Sequence, residues 1–421
     1  MLLKDLEKKK ILILGFGREG QDTFSFLKKV FPEKTLAVAD MRSLKDFSLR
    51  EKKMLKRTEA HLGQSYLRAV SGYDLVIKTP GISFKNIGLK NRSKFTSQAE
   101  IFFDNCPARI IGVTGTKGKS TTSSLIFSIL KEARLPVRLV GNIGKPALSS
   151  LIRARKNDIF VFELSCHQLQ NMKKSPDIAV FLNVFPEHLD YYKNFKEYVS
   201  AKANILKYQE KNDFLVYNRE DKTVRSLVRL SKAKKIGVKG RYYDLDRAAA
   251  KAVGKILDIP DRTIDSAVKK FVPLQHRLEF AGTFKGISFY NDSLATVPEA
   301  AIEAMDFLGD KVYTMLLGGF DRGVDFKSLA ERISRSRVKV LIFFPGSGKR
   351  IWKEIKDKKR FRSFFVSSME EAVRISFQNT EKGSICLLSP ASPSFGLFRD
   401  YKDRGDSFKV QVKRLGKSGW N

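Results

Sequence analysis

Residues 110–126 read Ile-Ile-Gly-Val-Thr-Gly-Thr-Lys-Gly-Lys-Ser-Thr-Thr-Ser-Ser-Leu-Ile. The apolar, β-branched run from Ile110 to Val113 predicts a buried strand. Gly115 and Gly118 follow in a tight loop, then Lys119-Ser120-Thr121. From Thr121 the pattern turns helical, with Leu125, Ile126, Ile129 and Leu130 at helix spacing. Strand, glycine loop, Lys-Ser/Thr and helix together make a phosphate-binding loop. Its glycines let backbone N–H groups point at phosphate oxygens, and the helix N-terminus adds partial positive charge. Lys119 can reach the β- and γ-phosphates, and the hydroxyl of Ser120 or Thr121 can ligate Mg²⁺. The strict pattern G-x-x-x-x-G-K-[ST] would need glycine at position 113, where Val113 stands. The loop present is T-G-T-x-G-K-S-T, and ATP is its expected ligand, held across Gly115, Thr116, Lys117, Gly118, Lys119, Ser120 and Thr121.

Upstream, Ile11-Leu-Ile-Leu-Gly15-Phe-Gly17-Arg18-Glu-Gly20 is a strand running into G-x-G-x-x-G. A helix with Phe24, Phe26 and Leu27 follows. A second strand, Leu36 to Asp40, ends in an acid 20 residues past Gly20. This is the Rossmann fingerprint, with Asp40 placed for a ribose hydroxyl. The motif reports a nucleotide diphosphate and not which one; taken alone it suggests a nicotinamide enzyme. A third strand, Tyr73 to Ile77, runs into Lys78-Thr79-Pro80-Gly81-Ile-Ser83, a turn at a strand's C-terminal end, where ligands bind in open α/β sheets. Gln98 to Phe103 reads as helical. Pro107 marks the end of a first domain, 1–107.

Downstream, Val137 to Pro146 reads as a strand and a glycine turn exposing Asn142. Asp158-Ile-Phe-Val-Phe-Glu163 is a buried strand ending in a carboxylate. Beside a phosphate loop such an acid holds Mg²⁺; the same carboxylate could instead cap a helix. Ile178 to Val184 is another strand, closed by Phe185-Pro186-Glu187-His188-Leu-Asp190. His188, with Asn183, Glu187 and Asp190 near it in the chain, is a candidate metal or phosphate contact. Lys202 sits in a helical stretch and gains no role from its neighbours. Phe214 to Asn218 reads as a strand, and 219–270 as basic helical pieces. The second domain spans 108–280.

From 281 to 421 the pattern is strand, polar turn and helix, repeated, which predicts a third α/β domain with a mostly parallel sheet. Its turns offer Asp292, Thr296, Arg322 and Ser394 at strand C-termini.

With 421 residues and 42% hydrophobic content, the chain can bury several cores. No apolar run approaches the ~20 residues of a membrane helix. Met1 to Lys10 has no signal-peptide core, and the three cysteines, Cys106, Cys166 and Cys386, match no disulfide or metal spacing. A reducing cytoplasm is expected. The net charge of +34 is spread along the whole chain and mixed with acids. It therefore reads as suited to anionic small substrates, with neither nucleic acid nor membrane expected as a partner.

Read in order, these turns resemble the Mur ligase family of ATP-dependent amino-acid-adding enzymes of peptidoglycan synthesis. The residues carrying the resemblance are Gly112 to Thr121, Gly141-Asn-Ile-Gly144, Glu163-Leu-Ser165 with Gln168, Asn183 to Asp190, Lys202, His276-Arg277, Asn291-Asp-Ser293, Leu316 to Gly319, and Ser389 to Ser394 through Arg404-Gly405. They span nearly the full chain. The short first domain opening on G-x-G-x-x-G and the Ser389–Gly405 segment favour the branch that adds D-glutamate to UDP-N-acetylmuramoyl-L-alanine. The alternatives are a Mur-type ligase for another amino acid and a phosphate-loop kinase or ATPase.

The resemblance implies three domains: a Rossmann-like first domain for the UDP moiety, a central ATP-binding domain and a Rossmann-like third domain for the amino acid. In the first, Gly17, Arg18, Asp40, Arg42, Thr79, Pro80 and Gly81 would meet uridine diphosphate in place of NAD, and Asn142 would touch the same substrate. The resemblance assigns two Mg²⁺ ions to Ser120 or Thr121, Glu163, His188 and Lys202, the last through a carbamylated amine. Lys119, His188 and Lys202 would be the catalytic set. Arg277 and Asp292 would hold adenine and ribose, and Thr296, Arg322, Ser394 and Tyr401 the amino acid, with the chain acting as a monomer. Three positions depart from the family pattern. Leu294 replaces a lysine common after Asn-Asp-Ser, Pro186 interrupts an acidic pair, and Pro393 to Gly396 replaces a run of small residues.

Overall fold

Runs that alternate between β-branched strands and amphipathic helices fold as parallel α/β layers, because each helix must cover a sheet face. A computed structural model describes every residue except 57, 88–92, 189–190, 241, 273–274 and 418–421. Asp190, expected near His188, lies outside the described residues. The chain forms two compact units, Met1–Phe271 and Val272–Asn421.

The first unit holds two parallel sheets. In the first sheet β1 (Ile11–Leu14), β2 (Ala37–Asp40), β3 (Glu59–Leu62), β4 (Leu75–Lys78) and β5 (Phe95–Thr96) lie in the order β3-β2-β1-β4-β5. The winding reverses between β1 and β4, which opens a crevice at their C-terminal ends. The turns leaving that edge are Gly15–Gly17 and Thr79–Gly81. β1, β2 and β4 are buried along their whole length, whereas the edge strand β3 carries exposed Glu59 and Ala60. The second sheet comprises β6 (Arg109–Thr114), β7 (Val137–Gly141), β8 (Ile159–Glu163), β9 (Ile178–Phe181), β10 (Phe214–Asn218) and β11 (Lys234–Val238), ordered β11-β10-β9-β6-β8-β7. Its register sets Val113 beside Glu163, and Glu163 beside Gly141. A carboxylate thus stands level with the start of the phosphate loop. The span expected to hold only basic helical pieces, 219–270, also contains β11, whose lysine-rich edge hid its strand character. The two sheets share one apolar core: Phe102 packs edge-on against Phe160 and Phe162, at 5.1 and 5.3 Å between ring centres.

The second unit is built on one sheet of β12 (Glu279–Phe284), β13 (Ile287–Asn291), β14 (Val312–Gly319), β15 (Val340–Gly346), β16 (Arg362–Phe365) and β17 (Ile385–Leu388), ordered β12-β13-β17-β14-β15-β16. Only β12 runs antiparallel, joined to β13 through Lys285 and Gly286. Both have positive φ, 51° and 81°, the geometry of a tight hairpin turn. No helix among the described residues is long and apolar enough to cross a membrane.

Candidate active site

The phosphate loop leaves β6 and enters the helix Lys119–Glu132 through Gly118, which caps the helix at φ 88°. A Cβ there would sit 2.5 Å from Asp246 Oδ1 and 2.8 Å from Leu182 Cδ1, so both backbone and space demand glycine. Asn183, just past β9, clamps the loop: its Oδ1 accepts from Lys117 N at 2.8 Å and its amide donates to the Lys117 carbonyl at 3.2 Å. The Asn183 carbonyl accepts from Thr116 N, and the Thr116 hydroxyl lies 2.9 Å from that of Tyr198. Thr122 fixes the first helical turn by donating to Asp246 Oδ1 at 2.9 Å.

Two lysines converge on one carbonyl. Gly115 O accepts from Lys119 Nζ at 3.0 Å and from Lys202 Nζ at 2.7 Å; Lys119 also donates to Thr116 O. Burial lowers the pKa of both amines, Lys202 to about 7. Lys202 is only 1% exposed, on the helix Phe195–Lys207, a burial that its sequence neighbours do not announce. Lys117 pairs with Glu187 at 3.0 Å. Burial alone would raise the Glu187 pKa, but Lys117, His188 and Lys119 outweigh it and hold the carboxyl at about 2. His188 adopts φ 58°, with Nε2 3.8 Å from Glu187 Oε2. Glu163 is buried at the end of β8, and Ser120 and Thr121 lie in the first turn of the helix. Thr121 Oγ1 is buried and has no hydrogen-bond partner among the described residues. A buried, unsatisfied hydroxyl in the first helical turn after the phosphate loop suits a hard cation with oxygen ligands.

The crevice of the first sheet is a cavity of about 580 Å³ lined by Gly15, Gly17, Arg18, Asp40, Arg42, Thr79, Pro80, Gly81 and Asn142, among others. Every residue expected there from the sequence is present. Arg18 donates to the carbonyls of Asn142 and Gly144, joining the two sheets across the cavity mouth. Asp40 accepts from Phe16 N at 2.7 Å and Arg42 Nε at 3.1 Å. Burial works to raise its pKa, but these hydrogen bonds and the Arg42 charge lower it. Glu19, which the sequence reading passed over, also lines the cavity. Burial raises its pKa to about 7, and Gln168 donates to it at 2.7 Å. Nothing in the local sequence marks that contact, because 149 residues separate the partners.

In the second unit, Asp292 is buried and accepts from Ser389 Oγ at 2.8 Å and from Leu278 N at 3.2 Å, next to Arg277. Arg404 is a fully buried cation that donates to Ser293 Oγ, Ser293 O and Ser392 O at 2.8–3.0 Å. Burial lowers its pKa to about 9. It ties the Asn291–Ser293 turn to the Ser389–Ser394 turn. The Tyr401 carbonyl accepts from Ser293 Oγ at 2.8 Å. Arg322 is exposed on a loop that Arg350 braces through Asp321 at 2.5 Å. Phe320 N donates to Pro393 O, bringing the Arg322 loop beside Ser394, which is buried. Thr296 stands on the turn before the helix Pro298–Leu308.

Comparison with known proteins adds an independent line. Residues 113–285 match the Mur ligase middle domain, and 276–392 match the Mur ligase, glutamate ligase domain. A UDP-N-acetylmuramoylalanine–D-glutamate ligase from Acetivibrio thermocellus is 32% identical, the alignment covering 98% of each chain. One of the same name from Clostridium tetani is 31% identical, again over 98% of each. Two solved structures share the fold at 17% identity and a TM-score of 0.60. They are a MurF ligase from Thermotoga maritima in complex with ADP (98% of each chain covered) and a UDP-N-acetylmuramate–alanine ligase from the same organism (98% of this chain, 100% of that one). With a curated relative this similar along its whole length, and with both family domains in sequence order, this chain belongs to the Mur ligase family.

Proposed function

We propose that this protein is an ATP-dependent ligase that adds D-glutamate to UDP-N-acetylmuramoyl-L-alanine in peptidoglycan precursor synthesis. The observation that carries the reading is the convergence of Lys119 and Lys202 on the Gly115 carbonyl, inside the phosphate loop. A carboxylate attacking a triphosphate is repelled by negative charge, so the barrier falls where fixed cations meet the phosphates. In the loop the Lys119 ammonium exchanges its carbonyl contacts for phosphate oxygens. The substrate carboxylate oxygen bonds to the γ-phosphorus as the bond to the ADP oxygen breaks, giving an acyl phosphate. The amine of D-glutamate then adds to the acyl carbon, a proton leaves the nitrogen, and phosphate departs from the tetrahedral intermediate.

Ser120 or Thr121, Glu163 and His188 would hold Mg²⁺, which when bound neutralises phosphate charge. Lys202, with its pKa near 7, keeps a neutral amine able to take up CO₂ as a carbamate. The N–C bond forms, the amine nitrogen gives one proton to solvent, and the neutral amine becomes a carbamate whose carboxylate-like end would support the metal. The first-sheet cavity takes the uridine diphosphate, with Gly17, Arg18, Asp40, Arg42, Thr79 to Gly81 and Asn142 around it. Arg277 and Asp292 are assigned to adenosine, and Thr296, Arg322, Ser394 and Tyr401 to the amino acid. Arg322 pairs the free carboxylate in the two-pronged geometry a guanidinium allows. The functional spans are 1–107 for UDP, 108–280 for ATP and 281–421 for the amino acid. The phosphate loop, Glu163, His188 and Lys202 come from one chain, so a cytoplasmic monomer suffices.

The test is phosphate release from ATP with UDP-N-acetylmuramoyl-L-alanine and Mg²⁺ against a panel of D- and L-amino acids. Release with D-glutamate alone is expected. Release with a different amine keeps the mechanism and moves the specificity to Leu294 and the Pro393–Gly396 turn. No release with any amine sinks the ligase reading.

A further inference from the structure

Cys166, His167 and His188 come together beside the phosphate loop, and the ligase reading uses only the last. Cys166 Sγ and a nitrogen from each imidazole all lie within 4.8 Å of one another. Cys166 is buried, and both histidines are partly exposed. The two imidazoles meet edge to face with centres 4.7 Å apart. His167 is held on its other sides by Tyr191, at 4.2 Å, and by Tyr192, stacked at 5.8 Å. His188 is fixed by its left-handed backbone. None of these three side chains offers an oxygen ligand.

We propose that Cys166, His167 and His188 form a site for a borderline-soft divalent cation, Zn²⁺ in the first place, that competes with Mg²⁺ for His188. One thiolate and two imidazoles are a familiar zinc donor set with a fourth position open to water. Mg²⁺ prefers octahedral oxygen and is a poor match for sulfur. Tetrahedral zinc places ligand atoms about 3.3–3.8 Å apart, given bonds of roughly 2.0–2.3 Å. The three donors lie within 4.8 Å of one another, so binding zinc needs them to close by at most about 1.5 Å. On coordination the Cys166 thiol gives its proton to solvent and a sulfur–metal bond forms. No electron is transferred. Once His188 is captured, it no longer serves the oxygen-ligated ion, so zinc acts as an inhibitor that Mg²⁺ relieves. Metal capture needs no substrate, so it stands or falls apart from the ligase reading.

The experiment titrates the metal-free full-length protein with Co²⁺, a coloured substitute for Zn²⁺, and records the near-ultraviolet thiolate-to-cobalt absorption. One Co²⁺ per chain, displaced by Zn²⁺, is expected. Cys166→Ser removes the thiolate band, and His167→Phe weakens binding by about tenfold or more. Both variants keep phosphate release with Mg²⁺ and lose inhibition by Zn²⁺; if Cys166→Ser does not fold, Cys166→Ala gives the same readout. Absence of a thiolate band in the parent protein overturns the proposal. So does a band that survives in Cys166→Ser, or zinc inhibition of equal strength in the parent and both variants.

Discussion

At the scale of single residues, the site turns on two buried amines that share one acceptor. Lys119 offers the charge that a triphosphate needs, and its resting contacts are backbone carbonyls that it can exchange for phosphate oxygens. Lys119→Ala is expected to cut kcat for phosphate release by about 10²–10³-fold, the scale of losing one positioned electrostatic contact in a dry site. Turnover near the parent rate would remove the loop from the mechanism. Lys202 makes a pH prediction. Its folded pKa is about 7 against an ordinary 10.5, through burial first. Between those values the unfolded chain holds a proton that the folded chain lacks, so stability rises with pH across the window. The contribution is complete above the ordinary value and is lost as pH falls toward about 7. Lys202→Met has no such proton. In CO₂-free buffer its urea midpoint should gain on that of the parent as pH is lowered from about 10 to 7. A difference that stays flat across that range would mean Lys202 is not held neutral in the fold.

At the scale of elements, the phosphate loop is a strand end and a helix start locked together by one glycine. Gly118→Ala forces a side chain into left-handed backbone, which costs about 1–2 kcal/mol. It also pushes on Asp246, the acceptor for Thr122. A drop in unfolding free energy of at least about 2 kcal/mol is expected, together with a raised KM for ATP. Unchanged stability with weakened ATP binding would put the strain elsewhere. The loop was legible in the sequence because its chemistry is local: strand, glycines, lysine and helix follow one another within 17 residues. The crevice at Gly17 and Thr79 was legible for the same reason, each half being a strand followed at once by its turn. What stayed hidden was set by the fold at long range. Lys202 reads as a helix-surface lysine until the helix Phe195–Lys207 packs against a loop 87 residues earlier. Glu19 reads as a filler in G-x-G-x-x-G until Gln168 reaches it. Arg404 was quoted only as part of a motif, and its task of joining two turns depends on bonds across 111 residues. Among the strands that have no counterpart in the sequence pattern, β3, β11 and β16 carry exposed or half-exposed polar residues, so they lack the apolar run that marks a buried strand, and β5 is only two residues long.

At the scale of the whole molecule, the +34 charge is the property that the fold does not use. Many of its lysines and arginines are exposed or paired at the surface, as in Lys232–Glu210 and Arg414–Glu370. Such pairs add little to stability because water screens them. The excess positive potential acts instead on whatever anion approaches. ATP and a UDP-linked substrate both carry several negative charges, so the charge should speed their capture at low salt. The expected outcome is a several-fold fall in kcat/KM for both nucleotides between about 0.05 and 0.5 M KCl, as the screening length shrinks from more than 10 Å to about 4 Å. kcat at saturation should change far less, because salt screens encounter more than it screens the buried lysines of the loop. Double-stranded DNA or RNA should neither stimulate phosphate release nor support it without the amine, since the lysines and arginines are spread along the sequence and mixed with acids. If kcat/KM were insensitive to salt, the positive surface would have no part in substrate capture. If nucleic acid stimulated turnover, the charge would have a partner that the ligase chemistry does not require.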